Sequence, residues 1–142
     1  MEPILKTEDR NIAIRDELRK REPLFHHPEF GRTKEDFRRM TTENYWEIGA
    51  SGKRYSRNHV IETVASRYSD PSYCGIHSSP ENKWELKAFY CVDIAPDNYL
   101  VTYTLIQGER VTRRSTIWRN DHGEWKIFYH QGTVVEPEKK EG

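Results

Sequence analysis

The sequence predicts an α+β domain whose helices cover one face of an antiparallel sheet, and three observations predict it. Apolar residues in the first half recur at helical spacing; four long stretches after residue 83 read as strands; turn residues punctuate those stretches at short intervals. At 142 residues the chain falls in the range of one domain with one core. Residues 1–135 are read as that domain, and 136–142 as a charged, disordered tail.

Residues 7–26 read as the first helix. Ile12, Ile14, Leu18 and Phe25 lie near helical spacing, with Arg15, Asp16, Glu17, Arg19 and Lys20 opposite them. Pro23 ends or kinks it, and Glu22 before it is biased away from helical angles. His26-His27-Pro28 follows as a loop. Thr33 is an N-cap with Glu35 and Asp36 in the first turn of a short helix ending near Thr41, pinned by Phe37 and Met40. Asn44 to Ala50 alternates as a strand, and Gly49, Ser51 and Gly52 supply the turn after it. Ser56 caps a third helix through Tyr68 that buries Val60, Ile61 and Val64. Residues 69–82 are rich in Ser, Pro, Gly and Asn and read as a long loop.

Strands are expected at Trp84–Ile94, Tyr99–Gln107, Val111–Arg119 and Trp125–Val134. Ala95-Pro96-Asp97-Asn98, Gly108-Glu109 and Asn120-Asp121-His122-Gly123 supply the turns. If each turn holds only those residues, antiparallel pairing sets rows across one face. Ile94, Tyr99, Trp118 and Trp125 form the first, and Val92, Val101, Thr116 and Ile127 the second. Tyr90, Tyr103, Arg114 and Tyr129 form the third, and Ala88, Leu105, Thr112 and Gln131 the fourth. The first two rows are core. The third puts a guanidinium among three tyrosines on the face the helices cover. A buried charge without partners costs several kcal/mol, so Arg114 needs an acidic partner, a ring of acceptors or a bound anion. Arg114, Tyr103, Tyr90, Tyr129 and Gln131 are therefore the expected ligand-binding residues. The other face pairs Arg119 with Glu124, Ile117 with Lys126, Ser115 with Phe128 and Arg113 with His130. It is half polar and suits solvent or a dimer interface. His130 falls there unless a bulge before Gly132 turns it inward.

Composition narrows the function classes. Hydrophobic residues make up 35% and charged residues 32%, with four Trp, eight Tyr and five Phe, so the chain is polar yet well above the disordered regime. Zero formal net charge argues against a general nucleic-acid or membrane-surface role. No apolar run approaches bilayer-spanning length, and the N-terminus lacks a signal-peptide core. Cys74 and Cys91 are isolated and read as reduced thiols of a cytoplasmic protein. No two of the six His stand in a metal-binding helical spacing, so neither a metal nor another cofactor is expected.

The order of elements resembles the cone-shaped fold of nuclear transport factor 2-like proteins. Trp46-Glu47-Ile48-Gly49-Ala50-Ser51-Gly52, then Arg54-Tyr55-Ser56-Arg57, looks like the first-strand-to-helix segment of the SnoaL-like, uncharacterised branch. Arg114 to Arg119, Gly123-Glu124-Trp125 and Tyr129 to Thr133 look like its closing hairpin. A related spacing of Trp, Gly and Trp occurs in the association domain of calcium/calmodulin-dependent kinase II, but Arg114 is not a matched position there. The resemblance implies an open-ended pocket between sheet and helices and commonly a homodimer, for which the half-polar outer sheet face is the expected interface. It does not choose among ligand binding, a SnoaL-like isomerase or dehydratase acting by proton abstraction, and a non-enzymatic interaction or immunity module.

Enzymes of the superfamily place an Asp or His in the pocket, and the expected inner rows offer neither. The candidate catalytic residue is therefore Glu47. If Trp46 and Ile48 face inward, Glu47 faces out; if Tyr45, Glu47 and Gly49 face the pocket, Glu47 pairs with Arg114 or serves as base. Glu22 is the other possible partner of Arg114. A carboxylate held by Arg has a lowered pKa, which favours binding over proton transfer. The primary expectation is a small, anionic organic ligand at Arg114.

Overall fold

The computed structural model describes residues 1–77 and 84–137. After a 3-10 turn at Asp9–Asn11 come α1 (Ile12–Arg19), α2 (Lys34–Arg39), β1 (Thr41–Ile48), β2 (Arg54–Ser56) and α3 (Arg57–Tyr68). A second 3-10 turn, Gly75–His77, precedes β3 (Trp84–Ala95), β4 (Asn98–Gln107), β5 (Arg110–Asp121) and β6 (Glu124–Val134). The expected loop over 69–82 and tail over 136–142 lie partly outside the described residues. The strands form one sheet in the order β2-β1-β6-β5-β4-β3. Neighbours are antiparallel except β1 and β6, which run parallel.

The first helix is much shorter than its apolar spacing predicts. Arg21 N–H bonds Leu18 at 3.0 Å and Glu22 N–H reaches Arg19 at 3.4 Å, a tightening of the last turn. Pro23 cannot donate the next bond, and its ring excludes helical angles at Glu22. The chain leaves the helix there and drives Glu22, Pro23, Leu24 and Phe25 inward, all buried. Thr33 caps α2 as expected and forms a full capping box with Asp36. Ser56 accepts from His59 N–H at the start of α3, whose Val60, Ile61 and Val64 are buried. β2 escaped the sequence reading because only Arg54-Tyr55-Ser56 pairs with β1, through the Gly49–Gly52 turn.

The register is correct in the middle of the sheet and shifted on both sides. β4 and β5 pair as expected, Tyr103 with Arg114, Val101 with Thr116 and Tyr99 with Trp118. The His122-Gly123 turn is tighter than the expected four-residue turn, with φ of 53° and 91°, so Asp121 pairs with Glu124. Arg119 accordingly faces Lys126 rather than Glu124. A bulge then intervenes. Trp118 pairs with Ile127, but Ile117 pairs with Tyr129, so β6 carries one extra residue. Beyond it Thr116 faces His130, Ser115 faces Gln131, Arg114 faces Gly132 and Arg113 faces Thr133. A one-residue slip exchanges the two faces of a strand.

β3 has two such irregularities against β4. The first pairs Cys91 with Val101 and Val92 with Leu100; the second, at Ala88 with φ of 54°, pairs Leu86 with Leu105. The expected partners of Val101, Tyr103 and Leu105 (Val92, Tyr90 and Ala88) are each displaced. Phe89 instead stacks on Tyr103 with ring centroids 5.2 Å apart. The sheet face toward the helices buries Cys91, Val101, Trp118 and Ile127 against Leu18, Leu24, Phe25, Phe37, Tyr45 and the α3 residues. The opposite face holds a lateral row of Val92, Leu100, Ile117, Tyr129 and Trp46, successive strand partners. Trp46 is 41% exposed.

Candidate functional site

Arg114 stands on the covered face between two fully buried threonines, Thr112 and Thr116, two residues away on either side. Alternation along β5 and the uninterrupted β4–β5 pairing set that orientation. Its Nε–H donates to Thr112 Oγ1 at 3.1 Å, which leans the guanidinium along the strand toward Arg110. Among the described residues no carboxylate oxygen lies within 4 Å of it. The expected ion pair with Glu22 or Glu47 is not formed.

Glu22 is taken up by the core instead. At 1% exposure its carboxylate accepts from Tyr103 Oη at 2.7 Å and from Trp118 Nε1 at 3.0 Å. Burial pushes its pKa up, against the pull of the Thr116, Tyr103 and Trp118 donors and of Arg114. Tyr103 therefore spends its hydroxyl on Glu22, which makes it a support beneath Arg114.

Glu47 faces inward with Tyr45, while Trp46 turns out. Tyr45 Oη donates to Glu47 Oε1 at 2.8 Å. Burial raises the Glu47 pKa, outweighing Tyr45, Arg114, Arg67 and His59, which favour its ionised form. The lowered value expected of an Arg-held carboxylate is thus reversed, because desolvation exceeds the attraction of cations that stay beyond contact. Its neighbour across the parallel ladder is His130. The bulge turns His130 inward, where it is 5% exposed and its Nδ1 shares a 2.8 Å hydrogen bond with Thr116 Oγ1. Burial and Arg114 lower its pKa to about 3, so the ring is neutral at physiological pH.

These groups border a cavity of about 550 Å³ between sheet and α3. Leu24, Phe25, Val60 and Val64 give it an apolar wall, and Arg67, Tyr73, Trp84, Gln107 and Arg110 continue the lining. His26 adds a ring held at 2.5 Å by Tyr73 Oη and edge-on to Trp84, its pKa pushed down to about 3 by burial, Arg67 and Arg114. The Ile76 N–H bonds the His26 carbonyl at 2.6 Å, and the Gly75 before it has φ of 67°. A Cβ at Gly75 would collide with that carbonyl, so this tie needs glycine.

Of the expected ligand-binding residues, Arg114 alone lines the cavity. Tyr103 lies beneath it. Tyr90 pairs with Thr102, and Tyr129 donates to Gln131 Oε1 at 2.7 Å beside the Trp46 ring; the shifted registers carry these three off the Arg114 face. Arg67, Arg110, His26 and Gln107 are among the cavity residues that sequence reasoning missed, whereas His130 was expected there only if a bulge before Gly132 turned it inward, as it does. Among the described residues no cluster of His, Cys, Asp and Glu could hold a metal ion. Among the described residues no helix is long and apolar enough to cross a membrane.

No protein-family model matches the chain, and no curated protein matches its sequence. Solved structures do match its fold. A protein of unknown function from Pectobacterium atrosepticum superposes with a TM-score of 0.62 at 11% identity, over 91% of this chain and 94% of that one. A nuclear transport factor 2-like protein of unknown function from Pseudomonas putida gives 0.58 at 12% identity over 91% and 90%. Another from Silicibacter pomeroyi gives 0.57 at 12% identity over 92% and 100%. The chain has the nuclear transport factor 2-like fold, with the α+β architecture expected.

Proposed function

We propose that this chain binds a small organic acid, its carboxylate on Arg114 and its apolar body against the α3 wall. One observation carries the reading: a half-buried guanidinium faces a roomy cavity with no carboxylate in contact among the described residues. A cation in that position gains most from an anion that arrives with the ligand, through charge-assisted and paired hydrogen bonds. Hexanoate is the simplest probe. It should raise the melting temperature of the wild-type protein, and calorimetry should show affinity reduced by about 10- to 100-fold in Arg114→Gln, the scale of a hydrogen bond to a charged group. Equal binding by both proteins overturns the reading.

A second reading, proton abstraction of the SnoaL-like isomerase or dehydratase kind, is favoured by Glu47. Its raised pKa brings a carboxylate base nearer neutrality, beside His130 and within the field of Arg114. The base acts only when ionised, so activity rises with pH through the Glu47 pKa. Exchange of solvent deuterium into an oxo acid such as levulinate measures this. Glu47→Gln should abolish exchange while binding persists, and exchange unaffected by that substitution rules Glu47 out as the base.

A further inference from the structure

We propose that the preferred ligand is a linear dianion, one charge on Arg114 and the second on Arg110 at the mouth, with an apolar chain between. The inference rests on the organic-acid reading and names the class of acid. The chain is neutral overall, yet among the described residues the cavity gathers Arg67, Arg110 and Arg114 against a single lining carboxylate, Glu47. Among the described residues none of the three arginines has a carboxylate within 4 Å. A single carboxylate ligand leaves this excess largely uncompensated.

The two arginines of β5 are placed as separate anchors. Four residues apart on one strand, they lie on one face with Cα atoms roughly 13 Å apart. The Thr112 bond tips Arg114 toward Arg110 and shortens the gap between the charges. Thr112 and its partner Leu105, both fully buried, occupy the row between them. Neither is charged, so β4 and β5 place no third charge in the row between the two anchors. At the mouth, Trp84, Gln107 and Arg110 are successive strand partners. Gln107 Oε1 is buried there without a hydrogen-bond partner. With nothing holding its oxygen, the amide is free to present its NH₂ to an anion beside Arg110.

Matched acids test this by calorimetry on the intact chain at low salt: hexanoate against adipate, octanoate against suberate. Each diacid should bind the wild-type protein about fivefold more tightly than its monoacid, the scale of one half-exposed ion pair. Arg110→Gln should erase that difference, weakening suberate about fivefold more than octanoate. Since Arg110 is exposed, the variant should fold, and its melting temperature without ligand verifies this. Equal affinities for monoacid and diacid in the wild-type protein overturn the inference while the organic-acid reading stands. So does an Arg110→Gln that weakens octanoate as much as suberate. If none of the four acids binds, both fall.

Discussion

Glu22→Ala is expected to lower the free energy of unfolding by about 3–5 kcal/mol. The carboxylate is buried, and its two oxygens serve Tyr103 and Trp118, both buried themselves. Alanine orphans an O–H and an N–H in the core, each costing about 1–3 kcal/mol. It also leaves a cavity under Trp118. Against this stands the relief of removing a charge that burial disfavours, as the raised pKa records. The donors decide, because they remain buried after the charge has gone. Glu22→Gln separates the two effects. Its amide oxygen can accept from Trp118 while its NH₂ donates to Tyr103 with the phenol rotated, so the loss should fall well below that of alanine. Urea unfolding at neutral pH measures both. An alanine variant within 1 kcal/mol of wild type, a difference taken as the ordinary scale of tolerated change, would contradict the role assigned to Glu22.

Acid should destabilise the fold through His130. Its folded pKa is about 3, against an ordinary value of 6.5. Between those limits the unfolded chain binds the proton that the folded chain refuses, so stability rises with pH across the window and is lost as pH falls through it. Two pH units below the ordinary value correspond to about 2.7 kcal/mol for this one ring. His26, also held near 3, acts in the same direction. Glu22 and Glu47 oppose both. Their raised values let the folded state take up protons first, so their contribution grows as pH falls toward 4.5. The His130 share is therefore read as a difference. Unfolding free energies of wild type and His130→Gln, measured at pH 7 and again near pH 4.5, should show a steeper acid loss in the wild type. Parallel losses would mean that His130 does not supply it.

How far the chain could be read from its residues follows from how local each signal is. Thr33 and Ser56 announce their helices through capping hydrogen bonds that span three residues, and both were legible. The β4–β5 pairing was legible because Gly108 permits a tight turn, with φ of 64°, and no bulge follows it. Arg114 was correctly placed on the covered face for that reason. The bulges on β3 and β6 have no comparable local signature. Ala88 adopts a positive φ that its side chain disfavours, a choice imposed by the sheet around it. Glu22 was legible as a residue poised before a proline, but its partners Tyr103 and Trp118 lie 81 and 96 positions away. Glu47 depended on which face of β1 turns toward the helices when it pairs with β6, and parallel pairing of two strands so far apart in the chain leaves no pattern within either.

The bulge on β6 also bears on how such a cavity changes over evolutionary time. Deleting Phe128, the extra residue, would restore uninterrupted alternation beyond Ile127 and leave each distal residue on its present face. Closing the bulge with no residue removed would instead exchange the distal half: Tyr129 and Gln131 would face the helices, and His130 and Gly132 would leave the lining. Proteins of this fold with a β6 of equal length but no bulge would present unlike pockets from nearly identical text. They are best aligned through β6 by the face each residue occupies, with a gap admitted at the bulge.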